Sequence, residues 1–284
     1  MLDRSEVGKR GYLHENFKLF HLRDSRAQEL GYHYHEFDKI ILLLSGKVTY
    51  VVEGKSYFLK PGDILLVQHN MIHLPIIDPS EPYERMVLWL GPEFLEQQKR
   101  GEESLSACFD LTHERSFHLL RGSQELRRKY LAIFRGMEQA QGDGGFAHGL
   151  LADTYFLQLL IHLNRDLSDD RTAELTETYR YDPKIEEIMR FVEANPTEEL
   201  SVEAIAKRFY LSRYYLMHRF KEVSGYTLHQ YVTQKRVQYA GELLKKGTGV
   251  LRAAELAGFR EYSTFLRAFQ SAYHMSPRAF QEQL

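Results

Sequence analysis

Hydrophobic and polar positions divide the chain into two parts with different patterns. Up to Gly91, short apolar runs of strand length alternate with turn signals rich in Gly, Pro and Asp. Because no helix-length segment falls between these runs, they predict a sandwich or closed barrel and not a parallel α/β sheet. The runs occupy residues 17–23, 39–44, 48–54, 55–63, 64–70 and 83–90.

Helical periodicity replaces this pattern after Gly91, over residues 123–141 and 146–165. In the second segment one face repeats at the i, i+3, i+4, i+7 spacing of a helix. Such a face either packs on its own domain or forms a dimer, and a dimer suits a protein that reads repeated DNA sites. The face consists of Leu150, Leu151, Thr154, Leu157, Gln158 and Ile161. Residues 166–182 are polar without apolar periodicity, which indicates a linker.

An internal repeat lies near the end of the chain, in residues 201–226 and 249–275. Each copy contains a short helical stretch, a break of a few residues and a second helical stretch. Ser212 is placed to cap the second helix of the first copy, and Gly258 can adopt the left-handed conformation of a tight turn. The pattern predicts two helix-turn-helix motifs. The residues Ile205, Ala206 and Phe220 align with Ala253, Ala254 and Phe269.

A continuous helix is predicted between the two motifs, over residues 228–246. At the α-helical rise it is about 28 Å long. This length would hold the two recognition helices about one turn of DNA, roughly 34 Å, apart. One chain could then place helices in two successive major grooves on the same face of a duplex.

Composition adds a charge asymmetry that the overall value conceals. The 284 residues favour two domains, and 43% hydrophobic with 27% charged residues is ordinary for a soluble globular protein. The net charge is −2. Residues 183–284, however, hold 15 Lys and Arg against 11 acidic residues, a net of +4, while residues 1–182 have a net of −6. A basic end and an acidic beginning suggest separate tasks for the two parts.

Cysteine content and hydropathy bear on the compartment. The single cysteine, Cys108, excludes an intrachain disulfide and a cysteine-based zinc cluster. The first ten residues lack the apolar core of a signal peptide, and no apolar run approaches the ~20 residues of a membrane span. We therefore expect a protein of the reducing cytoplasm.

The last hundred residues resemble the DNA-binding domain of AraC/XylS-type transcriptional regulators. The run AELAGFREYSTFLRAFQSAYHMSPRAF is similar to the family signature around the second motif, while Tyr210 and Leu228 depart from the usual glycine and proline. The segments HYH and PGD resemble the cupin-like sensor domain common in this family. The matching residues of the DNA-binding part include Ile205, Ala206, Ser212, Leu216, Phe220, Lys221, Gly225, Tyr231, Gly258, Phe259, Phe265, Arg267, Phe269, Ser276 and Pro277.

The resemblance implies an α+β chain with an N-terminal cupin-like β-barrel and a C-terminal all-α double helix-turn-helix domain. The expected ligand-sensing and dimerisation domain is 1–165, with the barrel over about 14–92 and helices over about 123–165. The linker is 166–182. The DNA-binding domain is 183–284, with motifs at about 201–222 and 249–272.

The implied function is sequence-specific regulation of transcription, with promoter DNA, a small-molecule effector and a second copy of the chain as partners. RNA polymerase is a further partner if the protein activates. By the resemblance, the base-reading residues are Tyr214, Met217, His218, Tyr262, Ser263 and Arg267. Phosphate contacts, which position a protein without specifying sequence, are expected from Arg213, Lys221, Lys235, Arg236 and Arg252.

Histidines of the front part pose a separate question of chemistry. His33 and His35 share one face of a strand, and His73 follows the PGD turn where cupin enzymes place a further ligand. Three imidazoles suit Zn²⁺, Ni²⁺ or Fe²⁺, but Lys39 stands where the enzymes carry a glutamate. With Tyr50 and Trp89 these histidines form either a polar effector pocket or a metal site.

Three classes of protein remain open at this point. A regulator that senses a small molecule, with carbohydrates favoured by the family, is the expected function, and no catalytic residues are assigned. The alternatives are a metal-dependent isomerase or dioxygenase of cupin type and a regulator whose barrel serves only dimerisation.

Overall fold

The computed structural model describes residues 8–9, 13, 15–24, 32–99, 101, 103–115, 117–168, 179–180, 182–273 and 275–282. Strands and helices follow the predicted division, with strands in the front part and helices towards the end. The strands are β1 (Gly8–Lys9), β2 (Phe17–Asp24), β3 (His33–Tyr34), β4 (Asp38–Ser45), β5 (Val48–Val52), β6 (Lys55–Leu59), β7 (Ile64–Val67), β8 (His73–Ile77), β9 (Tyr83–Leu90), β10 (Leu119–Leu120) and β11 (Tyr179–Arg180). The helices are α1 (Pro92–Gln97), α2 (Ala107–Glu114), α3 (Gln124–Gly142), α4 (His148–Ser168), α5 (Pro183–Ala194), α6 (Val202–Arg208), α7 (Arg213–Ser224), α8 (Leu228–Lys245), α9 (Val250–Leu256), α10 (Tyr262–Tyr273) and α11 (Pro277–Glu282). None of the helices in these ranges combines the length and apolar character needed to cross a bilayer.

Strands in the described part of the chain pair into two sheets. One has the order β1-β3-β8-β5-β6-β11 and the other the order β10-β7-β4-β9-β2. The expected barrel is therefore a cupin-like sandwich whose two sheets face each other without joining into one ring of hydrogen-bonded strands. The α+β class, with a β-rich front and a helical double helix-turn-helix region, is confirmed.

The apolar run of β4 is buried on both faces. Ile41 and Leu43 point between the two sheets, into one core. Ile40 and Leu42 point the other way, into a second core formed with α3 and α4. This alternation explains why residues 39–44 read as a continuous apolar run and not as a half-buried strand.

Helix α4 ends later than predicted. It continues to Ser168, so the interpretation of 166–168 as linker is wrong. Leu167 keeps the helix on the front domain by burying its side chain in the same core as α3. Of the remaining predicted linker, 169–178 and 181 lie outside the described residues, and Tyr179–Arg180 pairs with β6.

The two helix-turn-helix motifs consist of α6 with α7 and of α9 with α10, joined by α8. Ser201, Ser212 and Thr227 cap the helices α6, α7 and α8 through their hydroxyl oxygens. Gly258 forms the second turn with a φ of +83°, and Tyr210 occupies the first turn with a φ of +55°. Tyr210 thus takes a conformation that favours glycine, as the departure from the usual residue suggests.

The front sandwich and the helical domain share one buried core. Tyr34 and Ile72, from β3 and the segment before β8, are fully buried with the residues of α5, α7, α8 and α10. The Tyr34 hydroxyl donates to the Ala272 carbonyl at 3.1 Å, and the Gln238 amide donates to the Asn70 carbonyl at 2.8 Å. The sheet that carries the predicted histidines is therefore in contact with the helical domain.

Candidate nucleic-acid interface and effector site

Helix α7 separates its buried and exposed residues as a recognition helix does. Leu216 and Phe220 are completely buried in the helical core. On the opposite face the predicted residues Tyr214, Met217 and His218 are exposed. The rings of Tyr214 and His218 stack with centroids 4.0 Å apart, so they present one continuous aromatic surface.

Helix α10 has the same organisation. Phe265 and Phe269 are completely buried, while Tyr262, Ser263 and Arg267 are exposed. A guanidinium on such a face can pair with the O6 and N7 atoms of guanine, the commonest specific contact in the major groove. The two exposed faces place every predicted base-reading residue on the surface of the protein, and their contacts with bases stay a prediction.

Three of the predicted phosphate contacts are accessible to a duplex. Lys221 is exposed, Arg213 forms an ion pair with Glu203 at 2.9 Å, and Arg252 pairs with Glu255 at 3.1 Å. Exposed pairs of this kind contribute little to stability, and the arginines can exchange the carboxylates for phosphates at small cost.

Lys235 requires a correction, because its ammonium is buried at the junction of the two domains. It donates to Glu53 Oε1 at 2.9 Å and also pairs with the carboxylate of Glu193. Burial opposes the charged form, but the charges of Glu193 and Glu53 outweigh this effect and raise the pKa of Lys235. In this conformation Lys235 connects the β5–β6 turn with α5 and α8, and it cannot contact a phosphate.

Arg236 has hydrogen bonds within the protein, and its contact with a phosphate stays a prediction. Its Nε donates to the Pro196 carbonyl and its Nη2 to the Glu198 carbonyl, both at 2.9 Å. Burial lowers the pKa of this guanidinium. These hydrogen bonds hold the segment after α5 against α8.

The predicted histidine cluster forms at the junction of β3 and β8. His33 lies directly opposite His73 in the antiparallel register, and His35 follows two residues later on the same side. The ring centroids of His73 lie 4.4 Å from those of His33 and 5.0 Å from those of His35. All three are buried, and their nearest nitrogens lie within 4.8 Å of one another.

The amine of Lys39 lies beside two of these histidines. Its Nζ is 2.8 Å from Nε2 of His73 and 3.3 Å from Nε2 of His35. Burial, with the charge of Arg85, lowers the pKa of Lys39 to about 7. Burial and the neighbouring Lys39 also lower the pKa of His73 well below its ordinary value. His73 Nδ1 lies 3.0 Å from the Met71 carbonyl, which leaves Nε2 to accept from the lysine.

The amine of Lys39 opposes a divalent metal at this cluster in the arrangement observed, and metal binding by the three histidines stays a prediction. Three imidazoles are the right donors, but the amine of Lys39 stands within hydrogen-bond distance of two of them, where a cation would have to lie. A metal would have to displace this amine. The cluster is better suited to hydrogen bonding than to coordination.

The other two predicted pocket residues differ in their relation to the cluster. Trp89 pairs with Lys39 in the sheet register and lies 5.9 Å from the ring of His35. One face of its indole stacks on Phe37 at 4.3 Å. Tyr50 is buried in the core between the sheets, on β5 beside β8. Trp89 therefore borders the cluster, and Tyr50 belongs to the neighbouring core.

Sequence reasoning missed the residues that join the two domains. Glu53 lies in the β5–β6 turn with a φ of +43°, and its side chain crosses to Lys235, which is 182 residues away in the chain. Lys55 of β6 similarly pairs with Glu186 of α5 at 3.0 Å. The alternation within HYH was a usable signal for this contact. It places Tyr34 on the side of the strand opposite the two histidines, where it faces the other domain.

Comparison with known sequences supports the same division of the chain. The sequence profile of an AraC-like ligand binding domain matches residues 19–160, half of the chain, and that of a helix-turn-helix domain matches 205–283. The HTH-type transcriptional activator RhaS of Salmonella arizonae is 27% identical over 87% of this chain and 85% of its own length. LumQ of Photobacterium leiognathi, named as a probable transcriptional regulator, is 27% identical over 88% of this chain and 91% of its own.

Among solved structures, ToxT from Vibrio cholerae aligns over 95% of this chain and 99% of its own, with 16% identity and a TM-score of 0.38. The matched profiles coincide with the sandwich and with the two helix-turn-helix motifs described above. The chain therefore belongs to the AraC family, and it is a DNA-binding transcriptional regulator with a ligand-binding domain.

Proposed function

We propose that this regulator activates transcription by placing α7 and α10 in successive major grooves of promoter DNA. The observation that carries the proposal is that the two helices have the same organisation. Phe220 of α7 and Phe269 of α10 are completely buried, and the opposite face of each helix exposes polar and aromatic residues. Activation is supported by the name of RhaS, a transcriptional activator that covers most of this chain. An activator acts with RNA polymerase, which we propose as its partner, and we place it in the cytoplasm with the DNA.

The effector is proposed to bind at the cluster of His33, His35, His73 and Lys39. Imidazoles and an amine can donate and accept hydrogen bonds, and Trp89 beside them offers an aromatic ring. This chemistry suits a small molecule with several hydroxyl or carboxyl oxygens, and carbohydrates are the class to test first. We propose no catalytic activity, because the amine of Lys39 lies within hydrogen-bond distance of two of the three imidazoles that a metal-dependent enzyme would use as ligands.

A homodimer through α4 is the proposed assembly. The helix buries Phe156, Leu159 and Leu163 against its own domain. Leu150, Leu151 and Ile161 remain exposed on the outer face, together with Phe146 just before the helix. Exposed apolar residues grouped on one surface often mark protein–protein contacts. Leu150→Asp should convert a dimer to a monomer in sedimentation at micromolar concentration, and Leu251→Asp, an equally exposed leucine on α9, should not.

Selection of duplexes from a random-sequence pool by the full chain tests the DNA-binding function. One sequence should be enriched, and its affinity should fall steeply with added salt, as expected when several phosphates are neutralised. If no sequence is enriched and no salt-sensitive binding is measured, the proposed function is wrong.

A further inference from the structure

The segment that carries His33 and His35, which includes β3, also contacts the second recognition helix. Tyr34 lies between the two histidines, and its side chain points away from them into the core of the helical domain, where it is completely buried. Its hydroxyl donates to the carbonyl of Ala272, in the last turn of α10, at 3.1 Å. Neighbouring residues of one short strand thus reach the histidine cluster on one side and α10 on the other.

Tyr32 makes the equivalent contact with the first recognition helix. Gly225 ends α7 with a φ of +82°, and a Cβ atom built on it would lie 1.6 Å from Cε2 of the Tyr32 ring. The Tyr32 ring also packs edge-on against Tyr226, with centroids 5.3 Å apart. Tyr32 and Tyr34 are two residues apart, so one segment of backbone holds the ends of both α7 and α10.

The neighbouring strand repeats this division. Ile72 is buried in the core of the helical domain, while the next residue, His73, belongs to the histidine cluster. His73 and His33 are paired across β3 and β8. The two strands therefore form a single wall between the proposed effector site and the DNA-binding domain.

We infer that Tyr32 and Tyr34 are positioning residues for DNA recognition, which set the separation of the two recognition helices and connect it to the histidine cluster. The connection to an effector rests on the proposed function, whereas the positioning role does not. A close-packed interior leaves little room for independent movement, so a shift of His33 or His35 must move the tyrosine between them.

Recognition helices held at one separation should make DNA binding sensitive to the spacing within the site. A DNA site for this protein consists of two half-motifs, one read by α7 and one by α10. Moving the half-motifs apart by one base pair separates them by about 3.4 Å along the DNA axis and rotates one relative to the other. A chain whose recognition helices are held at one separation should bind the altered duplex much less tightly. A variant in which the contact of Tyr34 with α10 is weakened should bind the original and the altered duplex with more similar affinities.

The experiment uses the full chain and the duplex that it selects from a random pool, with derivatives carrying one base pair inserted or removed between the half-motifs. Tyr34→Phe removes only the hydroxyl that donates to Ala272 and should reduce the discrimination between duplexes about fivefold, as for loss of one hydrogen bond. Tyr130→Phe is the matched control, because it removes a hydroxyl that donates to Asp166 at 2.5 Å within the front domain. Its discrimination should equal that of the wild type.

A double-mutant cycle tests the connection to the histidines. Discrimination is measured as the ratio of the affinities for the original and the altered duplex. If the histidine cluster acts through Tyr34, the change that His73→Ala makes in this ratio should be at least threefold smaller when Tyr34→Phe is already present. Additive effects would overturn the connection, and equal discrimination by Tyr34→Phe and Tyr130→Phe would overturn the positioning role. Absence of any binding by the wild type would overturn the DNA-binding function together with this inference.

Discussion

Replacing Lys235 by methionine distinguishes a structural lysine from a DNA contact. The ammonium lies between the carboxylates of Glu53 and Glu193, and the side chains of all three are largely buried. Methionine fills the same space without charge, so two acidic groups would be left close together in a poorly solvated site. Removing one partner of a buried ion pair costs about 3–5 kcal/mol. We expect Lys235→Met to lower the free energy of unfolding by this amount.

Denaturant unfolding of the full chain measures this cost. The double variant Glu53→Gln/Lys235→Met should recover part of the stability, because the amide no longer brings an unpaired charge. Lys221→Met on the exposed face of α7 is the matched control. It should leave the free energy of unfolding within about 0.5 kcal/mol of the wild type. It should also reduce the slope of log affinity against log salt concentration by about one, as for the loss of one phosphate contact.

The opposite pattern would refute the structural role of Lys235. If Lys235→Met leaves the unfolding free energy unchanged and lowers the salt slope as Lys221→Met does, then Lys235 contacts phosphate. The junction described here would in that case differ from the one that binds DNA.

Three further changes have defined outcomes. Tyr210→Gly should raise stability by about 1 kcal/mol in thermal melts, because Tyr210 is almost fully exposed at a φ of +55°; an unchanged melting temperature would contradict this. Phe269→Ala should cost about 3–5 kcal/mol by emptying the centre of the α10 core, and a loss below 1 kcal/mol would mean that the helix is rotated. Lys39→Met should change the pH dependence of stability. Burial lowers the pKa of Lys39 from 10.5 to about 7. The folded wild type therefore binds fewer protons than the unfolded chain between these values, and its unfolding free energy should rise with pH there relative to Lys39→Met; parallel curves would contradict the shift.

Local patterns predicted most of the fold. The double helix-turn-helix followed from caps and helical periods, and the buried positions Phe220 and Phe269 followed from their alignment. Strand β8 was missed because it contains Pro75, which weakens a strand pattern. Two sheets or one closed barrel could not be distinguished, because strand pairing between distant residues has no local signature.

The candidate site was predicted less completely, for a related reason. The spacing of His33 and His35 and the place of His73 after the PGD turn predicted the three histidines together, and the structure adds the distances of the Lys39 amine from two of their rings. A basic residue on a helix, by contrast, reads the same whether its face meets water, a phosphate or a second domain. Lys235 was therefore assigned to DNA. Its partner Glu53 is 182 residues away in the chain, and nothing in the sequence around Lys235 indicates that the two residues meet.

Binding by an Arg267→Ala variant tests most directly whether the exposed faces of the recognition helices read DNA. Arg267 is exposed between buried Phe265 and Phe269, and Arg278 on α11 is an exposed arginine outside these helices. On the selected duplex, Arg267→Ala should lose about ten- to a hundredfold in affinity, the worth of one bidentate base contact, while a scrambled duplex should change little. Arg278→Ala should match the wild type on both. Equal losses on the selected and scrambled duplexes would contradict the account, because Arg267 would then contact phosphate and not a base.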